Sequence, residues 1–483
     1  MQPRPSSVTQ EEIEAARKVR LHLLADPYRP GFHFVVPEEI AHPADPNGAL
    51  FWNGRYHLHY IYQDQGVHYW GHVSSLDLLH WRHHPPSLFP TPDSPETGIF
   101  SGNCFINKEG QATILYHGVK AGNSIATSSD AQLDHWQKLP TNPIVPVEEG
   151  KWREAGALPY TSWDPHGWLD DDTYYAIFGG KRPAIFKATE LDNWSYVGDL
   201  FGANVAGVAA DEDVSCPDFF ALGDKWVLVC ISHELGCRYY VGEWRGEQFF
   251  PELHERMSFS DNTFFAPESM VDARGRRILW AWIFDQWSDE VKTAAGWSGT
   301  FSLPRELWLG EDKRLRMRPV EELKQLRYNE RRWADLSLAA DSEMTLADCQ
   351  GQLLDLEIEI ALNGASECGV KVLCSADGTE ETVVGYDRDA GTLFIDTRRA
   401  SSLGMGRLGI EAGPLRLADD EKLHLRVLVD RSVVEVFAND RQALLRRVYP
   451  GRTTSIGVKL FSKGSTSSVV QFSCWEMMPS NPY

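Results

Sequence analysis

The sequence predicts an all-β protein, a five-bladed β-propeller followed by a C-terminal β-sandwich, with one short N-terminal helix. Three observations predict it. Five strand–turn–strand segments recur roughly every 50–60 residues, the spacing expected of propeller blades. About eight short strands with period-two alternation fill the chain after Gln352, as in a sandwich. Aromatic residues make up 11% of the chain, which suits strands.

The elements follow in order. Ile13, Ala16, Val19 and Leu23 have helical spacing behind Thr9, a candidate N-cap. The hairpins come next, each with Asn, Asp or Gly at its turn: Asn53-Gly54, Glu109-Gly110, Asp170 to Asp172, Gly223-Asp224 and Arg274-Gly275. After Pro304-Arg305-Glu306-Leu307 the repeat stops. A charge-mixed stretch follows that reads as a linker, helical in part, and then the sandwich strands begin at Leu354. The resulting division is a helical extension (1–30), a propeller (31–322), a linker (323–345) and a sandwich (346–483).

Composition narrows the function. The net charge of −21 argues against nucleic acid as a partner, because phosphate binding needs a basic surface. No run is apolar enough to cross a membrane as a helix. Residues 1–10 carry no apolar segment of a secretory signal, and the eight cysteines show no paired spacing. Buried free thiols and a cytoplasmic location are the expectation. The chain leaves room for a homo-oligomer without showing an interface.

In a propeller the innermost strand of each blade opens onto one mouth of the channel. Counting back from the turns places Asp45, Ser101-Gly102, Asp164, Ser215-Cys216 and Ala266 at that mouth. Two of these are aspartates before proline, Asp45-Pro46 and Asp164-Pro165, and a residue before proline is held extended. Two carboxylates converging on one pocket are the minimum for cleaving a glycosidic bond.

Several segments make a likeness specific. They are His42-Pro43-Ala44-Asp45-Pro46-Asn47-Gly48, Tyr69-Trp70-Gly71-His72, Phe100-Ser101-Gly102, Trp163-Asp164-Pro165, Ser215-Cys216-Pro217-Asp218 and Asp430-Arg431-Ser432-Val433-Val434-Glu435. In order and spacing the chain resembles glycoside hydrolase family 32, the invertases, levanases, inulinases and fructosyltransferases, from Phe32 onward. The resemblance implies a small fructoside as substrate and a retaining reaction through a covalent fructosyl-enzyme. Asp45 matches the nucleophile, and Asp164 matches the carboxylate that binds fructose hydroxyls and stabilises the transition state. Fructosyl transfer on the same site, or binding without catalysis, are the alternatives.

Two departures stand out. The family's acid/base is a Glu before Cys-Pro-Asp, where this chain has Ser215, and a hydroxyl is no general acid near neutral pH. Glu212 and Asp213 lie on the run into the same strand and are the candidates to replace it, with Glu268 an outside one. The family's Arg before the second aspartate is Trp163 here, so a planar multi-donor clamp is lost. Asn47, Gln63, Trp70, Ser101, Trp163, His166, His233 and Trp297 are the candidate substrate contacts. His80 to His84 read as a loop, no carboxylate spacing completes a zinc site, and neither metal nor cofactor is expected.

Overall fold

The computed structural model describes residues 8–38, 41–148, 151, 156–209, 211–260 and 262–481. The opening residues 1–7, part of the stretch read for a signal, lie outside them. The protein is mostly β. Helix α1 (Gln10–Ala25) forms as its spacing predicts, and Thr9 and Glu12 close a reciprocal capping box at its start. A second short helix, α2 (Asp289–Ala295), was not anticipated.

Five antiparallel sheets of four or five strands follow one another along the chain from Pro46 to Pro319. Every predicted hairpin is the first hairpin of its sheet. The first strands are Pro46–Trp52, Ile99–Ile106, Pro165–Asp170, Ser215–Leu222 and Phe265–Val271. Each packs against the first strand of the next sheet, and the fifth packs back on the first. Later residues of all five line one cavity of about 400 Å³ that includes Asn103, His166, Trp168, Asp218, Glu268 and Arg277.

Four of the five first strands open on the same irregularity. The register slips between Asn47 and Leu50, Phe100 and Gly102, Ser215 and Asp218, and Phe265 and Glu268. Gly48, Cys216 and Ala266 take positive φ there (52°, 44° and 48°). Such bulges re-aim side chains at strand ends, and for Cys216 and Ala266 the left-handed backbone is strained.

The C-terminal region is two six-stranded antiparallel sheets, face to face around a second apolar core that includes Leu356, Val370, Val427, Val436, Leu460 and Phe472. Ten strands follow Gln352, where about eight were expected, and two more precede it, Arg327–Leu338 and Ser342–Gln350. The stretch read as a partly helical linker is a 3-10 turn at Glu321–Leu326 and then the strand Arg327–Leu338. That strand is a sheet edge with mostly exposed side chains, so its charges are those of a guarded edge.

A buried polar clasp joins the two regions. Asp430 accepts the backbone N–H groups of Gly31, Phe32 and His33 at 2.6–2.9 Å, and His33 Nδ1 lies 2.9 Å away. Glu435 takes Arg305 Nε and Nη2 at 3.0 and 2.7 Å, the Leu303 N–H at 3.2 Å, and faces His33 Nε2 at 3.1 Å. The Asp430–Glu435 motif therefore ties the C-terminal sheets to residues 31–33 and 303–305.

Candidate active site

Asp45 and Asp164 each sit immediately before the first strand of their sheets, and both are almost wholly buried. Cys216, on the strained bulge of the fourth sheet, joins them. Its N–H donates to Asp164 Oδ2 at 3.0 Å, and its sulfur lies 3.6 Å from Asp45 Oδ2 and 3.6 Å from Asp164 Oδ2. The two carboxylates thus bracket a single sulfur atom. Ser101 Oγ donates to Asp45 Oδ2 at 2.7 Å. Asp45 Oδ1 is buried and has no hydrogen-bond partner among the described residues.

The electrostatics follow from this burial. Desolvation pushes the Asp45 carboxyl up to about 6, against the pull of the Ser101 and Cys216 donors. Asp164 is pushed up to about 7 by desolvation, with the Cys216 N–H opposing and the Asp45 charge adding to the rise. Asn47 holds the loop by donating to the Asp45 carbonyl at 2.8 Å and accepting the Gly102 N–H at 3.0 Å.

Trp163 Nε1 donates to Ser215 Oγ at 3.0 Å, and that hydroxyl donates to Asp213 Oδ2 at 3.1 Å. Asp213 in turn accepts the His233 backbone N–H at 3.2 Å and faces His233 Nδ1 at 2.7 Å. Ser101 thus contacts Asp45 directly, whereas Trp163, Asp213 and His233 form a chain through Ser215, the residue before Cys216. Glu212 instead opposes the buried Arg238 at 3.5 Å, on the wall of a separate cavity of about 680 Å³ with Lys181, Arg182 and Tyr240.

Other expected contacts are corrected by burial or direction. Trp70 is fully buried with its Nε1 on the Phe100 carbonyl, so it is core. Trp297 is buried at the domain junction, donating to Asp26 at 2.6 Å. His166 and Glu268 face the cavity along the later strand residues, where His166 Nε2 meets the Phe219 carbonyl and Glu268 accepts the Ala49 N–H. Gln63 donates to the His42 carbonyl.

Residues 33–319 match the model for the glycosyl hydrolases family 32 N-terminal domain, and residues 322–476 match that for the family 32 C terminal. The chain belongs to glycosyl hydrolase family 32. Within that family it is 28% identical to the sucrose-6-phosphate hydrolase of Zymomonas mobilis, over 97% of this chain and 96% of the relative. It is 30% identical to the levanase of Bacillus subtilis over 90% of this chain and 68% of the relative. Fructan 1-exohydrolase IIa from Cichorium intybus shares the fold, with a TM-score of 0.83 at 23% identity, covering 94% of this chain and 98% of that one.

Two features of this family 32 member escaped sequence reasoning. Cys216 was placed at the mouth and in a motif but given no role, though it touches both carboxylates. The other is a histidine stack on the first sheet. His59 and His84 lie 4.5 and 4.2 Å from the His72 ring, nearly parallel to it, and Asp134 from the second sheet faces His84 Nδ1 at 2.7 Å. The ligand atoms of His72, His84 and Asp134 fall within 4.8 Å of one another, so a carboxylate does complete a cluster that spacing had dismissed. The rings stack face to face, however, so their in-plane lone pairs run side by side instead of converging on one ion. All eight cysteines are free, and among the described residues no helix is long and apolar enough to cross a membrane.

Proposed function

We propose that the five sheets are the blades of a propeller occupying 31–322, that the sandwich is a separate domain, and that the protein hydrolyses β-fructofuranosyl linkages at the site of Asp45 and Asp164. The observation that carries this reading is the convergence of both carboxylates on Cys216 Sγ. One furanose ring is gripped there from two sides. Asp45 Oδ1, the oxygen without a partner, is the nucleophile that bonds to the anomeric carbon. Asp45 Oδ2 stays tied to Ser101, which fixes the plane of attack. Asp164, whose Oδ2 is anchored by the Cys216 N–H, binds ring hydroxyls and balances the positive charge that builds up as the bond breaks.

The names of the relatives, sucrose-6-phosphate hydrolase and levanase, point to fructosides as the substrate class. Incubation with sucrose, sucrose 6-phosphate, levan and inulin, followed by sugar analysis, tests it. Release of fructose that is abolished by Asp45→Asn supports hydrolysis, and longer fructosyl products support transfer. A second reading is favoured by Ser215 alone: binding of fructosides with no turnover. Calorimetric binding of fructose without product from any of the four substrates establishes that reading and ends the first.

A further inference from the structure

On the fructosidase reading, the departing oxygen needs a proton, and position 215 offers only a hydroxyl. The nearby carboxylates do not supply one. Glu212 faces Arg238 beside a different cavity. Burial pushes the Asp213 carboxyl up, but the His233 ring and backbone and the Ser215 hydroxyl together hold it below the usual carboxylate range. Both of its oxygens already accept hydrogen bonds. Asp213 is an acceptor here.

His233 has what Asp213 lacks. Its Nδ1 is fixed on Asp213 at 2.7 Å, and Asp213 is one hydrogen bond from Ser215, the residue at the family's acid position. Its other nitrogen, Nε2, has no hydrogen-bond partner among the described residues, and the side chain is 39% exposed. The edge of the ring packs near Phe265, at the mouth end of the fifth sheet's first strand. Ser215, one hydrogen bond from Asp213, is followed directly by Cys216, which touches both Asp45 and Asp164, and a charge on the His233 ring favours the ionised forms of both. Histidine is also the side chain that ordinarily exchanges protons near neutral pH.

We propose that His233, oriented by Asp213, is the general acid and base that stands in for the missing carboxylic acid. In the first step the Nε2–H proton of the imidazolium passes to the glycosidic oxygen. The bond from the anomeric carbon to that oxygen breaks while Asp45 Oδ1 bonds to the same carbon, and the alcohol leaves neutral. In the second step the neutral imidazole takes a proton from water. The water oxygen bonds to the anomeric carbon, the ester to Asp45 opens, and the imidazolium and carboxylate are restored. Asp213 stays ionised throughout and acts as a positioning residue, as a carboxylate does behind a catalytic imidazole. Trp163, by donating to Ser215 Oγ, turns that hydroxyl toward Asp213 and completes its set of donors.

The test separates leaving groups that need a proton from one that does not. Wild type, His233→Gln, Asp213→Asn and Asp45→Asn are assayed on sucrose and on 4-nitrophenyl β-D-fructofuranoside, with melting curves to confirm folding. His233→Gln should lose about 10²–10⁴-fold in kcat on sucrose. Its pre-steady-state burst of 4-nitrophenolate should stay within about tenfold of wild type, because that leaving group departs unprotonated. The steady state that follows should slow, since ester hydrolysis loses its base. Asp213→Asn should lose kcat on sucrose with KM nearly unchanged and keep the burst, while Asp45→Asn abolishes both activities. Sucrose turnover within about threefold of wild type in a folded His233→Gln variant overturns the role of His233 and leaves the fructosidase reading standing. Equal losses on both substrates overturn it as well. A wild-type protein that turns over neither of these nor sucrose 6-phosphate, levan or inulin overturns both readings.

Discussion

Two pairs of buried carboxylates in this protein are treated in opposite ways. Where the two regions meet, Asp430 and Glu435 are saturated with donors: four backbone N–H groups, both ring nitrogens of His33 and the Arg305 guanidinium. Burial pushes the Glu435 carboxyl up, yet Arg305 and His33 hold it below its ordinary value. At the mouth, Asp45 and Asp164 are buried equally deeply but under-supplied. One Asp45 oxygen has no partner among the described residues, and both carboxyls rise, to about 6 and about 7. The comparison teaches that burial alone does not decide what a carboxylate does; the donors around it do. A satisfied pair rigidifies, whereas an unsatisfied one keeps an oxygen available for chemistry at a cost in stability.

The sharpest break of this contrast is Asp45→Asn. It should lower turnover of the fructoside about 10⁴-fold or more, in line with removing a nucleophile, as a direct rate assay will show. The complementary substitution at the junction, Glu435→Ala, strips the partner from Arg305 and His33. Removing one member of a buried ion pair costs about 3–5 kcal/mol, so the melting temperature should fall by roughly 10 °C, with kcat of the folded protein little changed. A melting curve matching wild type would mean the clasp carries no weight.

A smaller effect of opposite sign is expected at the mouth. Asp45 and Asp164 titrate higher in the native state than the ordinary value of 3.8, so the native protein holds protons that the unfolded chain has shed. Their contribution is therefore intact below about pH 4 and declines as pH rises through about 6 to 7. Asp164→Asn should raise the melting temperature by about 2 °C or more at pH 8 and leave it unchanged at pH 4. The smallest effect concerns activity. As Asp45 must be ionised to attack and Asp164 to balance the developing charge, kcat/KM should fall as pH drops through about 7 to 6, and Ser101→Ala should move the Asp45 part of that limb upward by roughly half a unit to one unit. A limb that stays in place would show that Ser101 does not hold the nucleophile.

Much of the fold was legible because local chemistry and tertiary structure agree in it. Asn53-Gly54 and Gly223-Asp224 specify turns that no packing needs to override, and period-two runs such as Leu353–Ala361 bury one face. The strands that escaped reading lack that pattern for physical reasons. Gln442–Arg447 is buried on both faces, with Arg446 and Arg447 fully covered near the junction, so polar residues stand where alternation would put apolar ones. Arg327–Leu338 is an exposed edge whose charges look like a linker. At the site, Asp45, Asp164 and Ser101 could be placed because counting back from a turn reaches the start of a strand to within a residue or two. The bulge at Cys216 could not be foreseen, since a register slip leaves no compositional mark. Trp70 and Trp297 were misassigned because an aromatic ring in the core and one on a sugar look alike in a sequence. Glu212 and Asp213 differ only in which way one strand faces them, and that direction gives one to Arg238 and the other to His233.

The central claim is that Asp45 attacks the fructosyl carbon at a site that Asp164 shares, and the stereochemistry of transfer tests it directly. A reaction run in buffer containing methanol traps the fructosyl unit as a methyl fructofuranoside whose configuration no longer interconverts. Attack by Asp45 followed by methanol means two inversions, so proton NMR should show methyl β-D-fructofuranoside. The α anomer as the product would mean a single displacement with no covalent Asp45 intermediate, and would contradict the account.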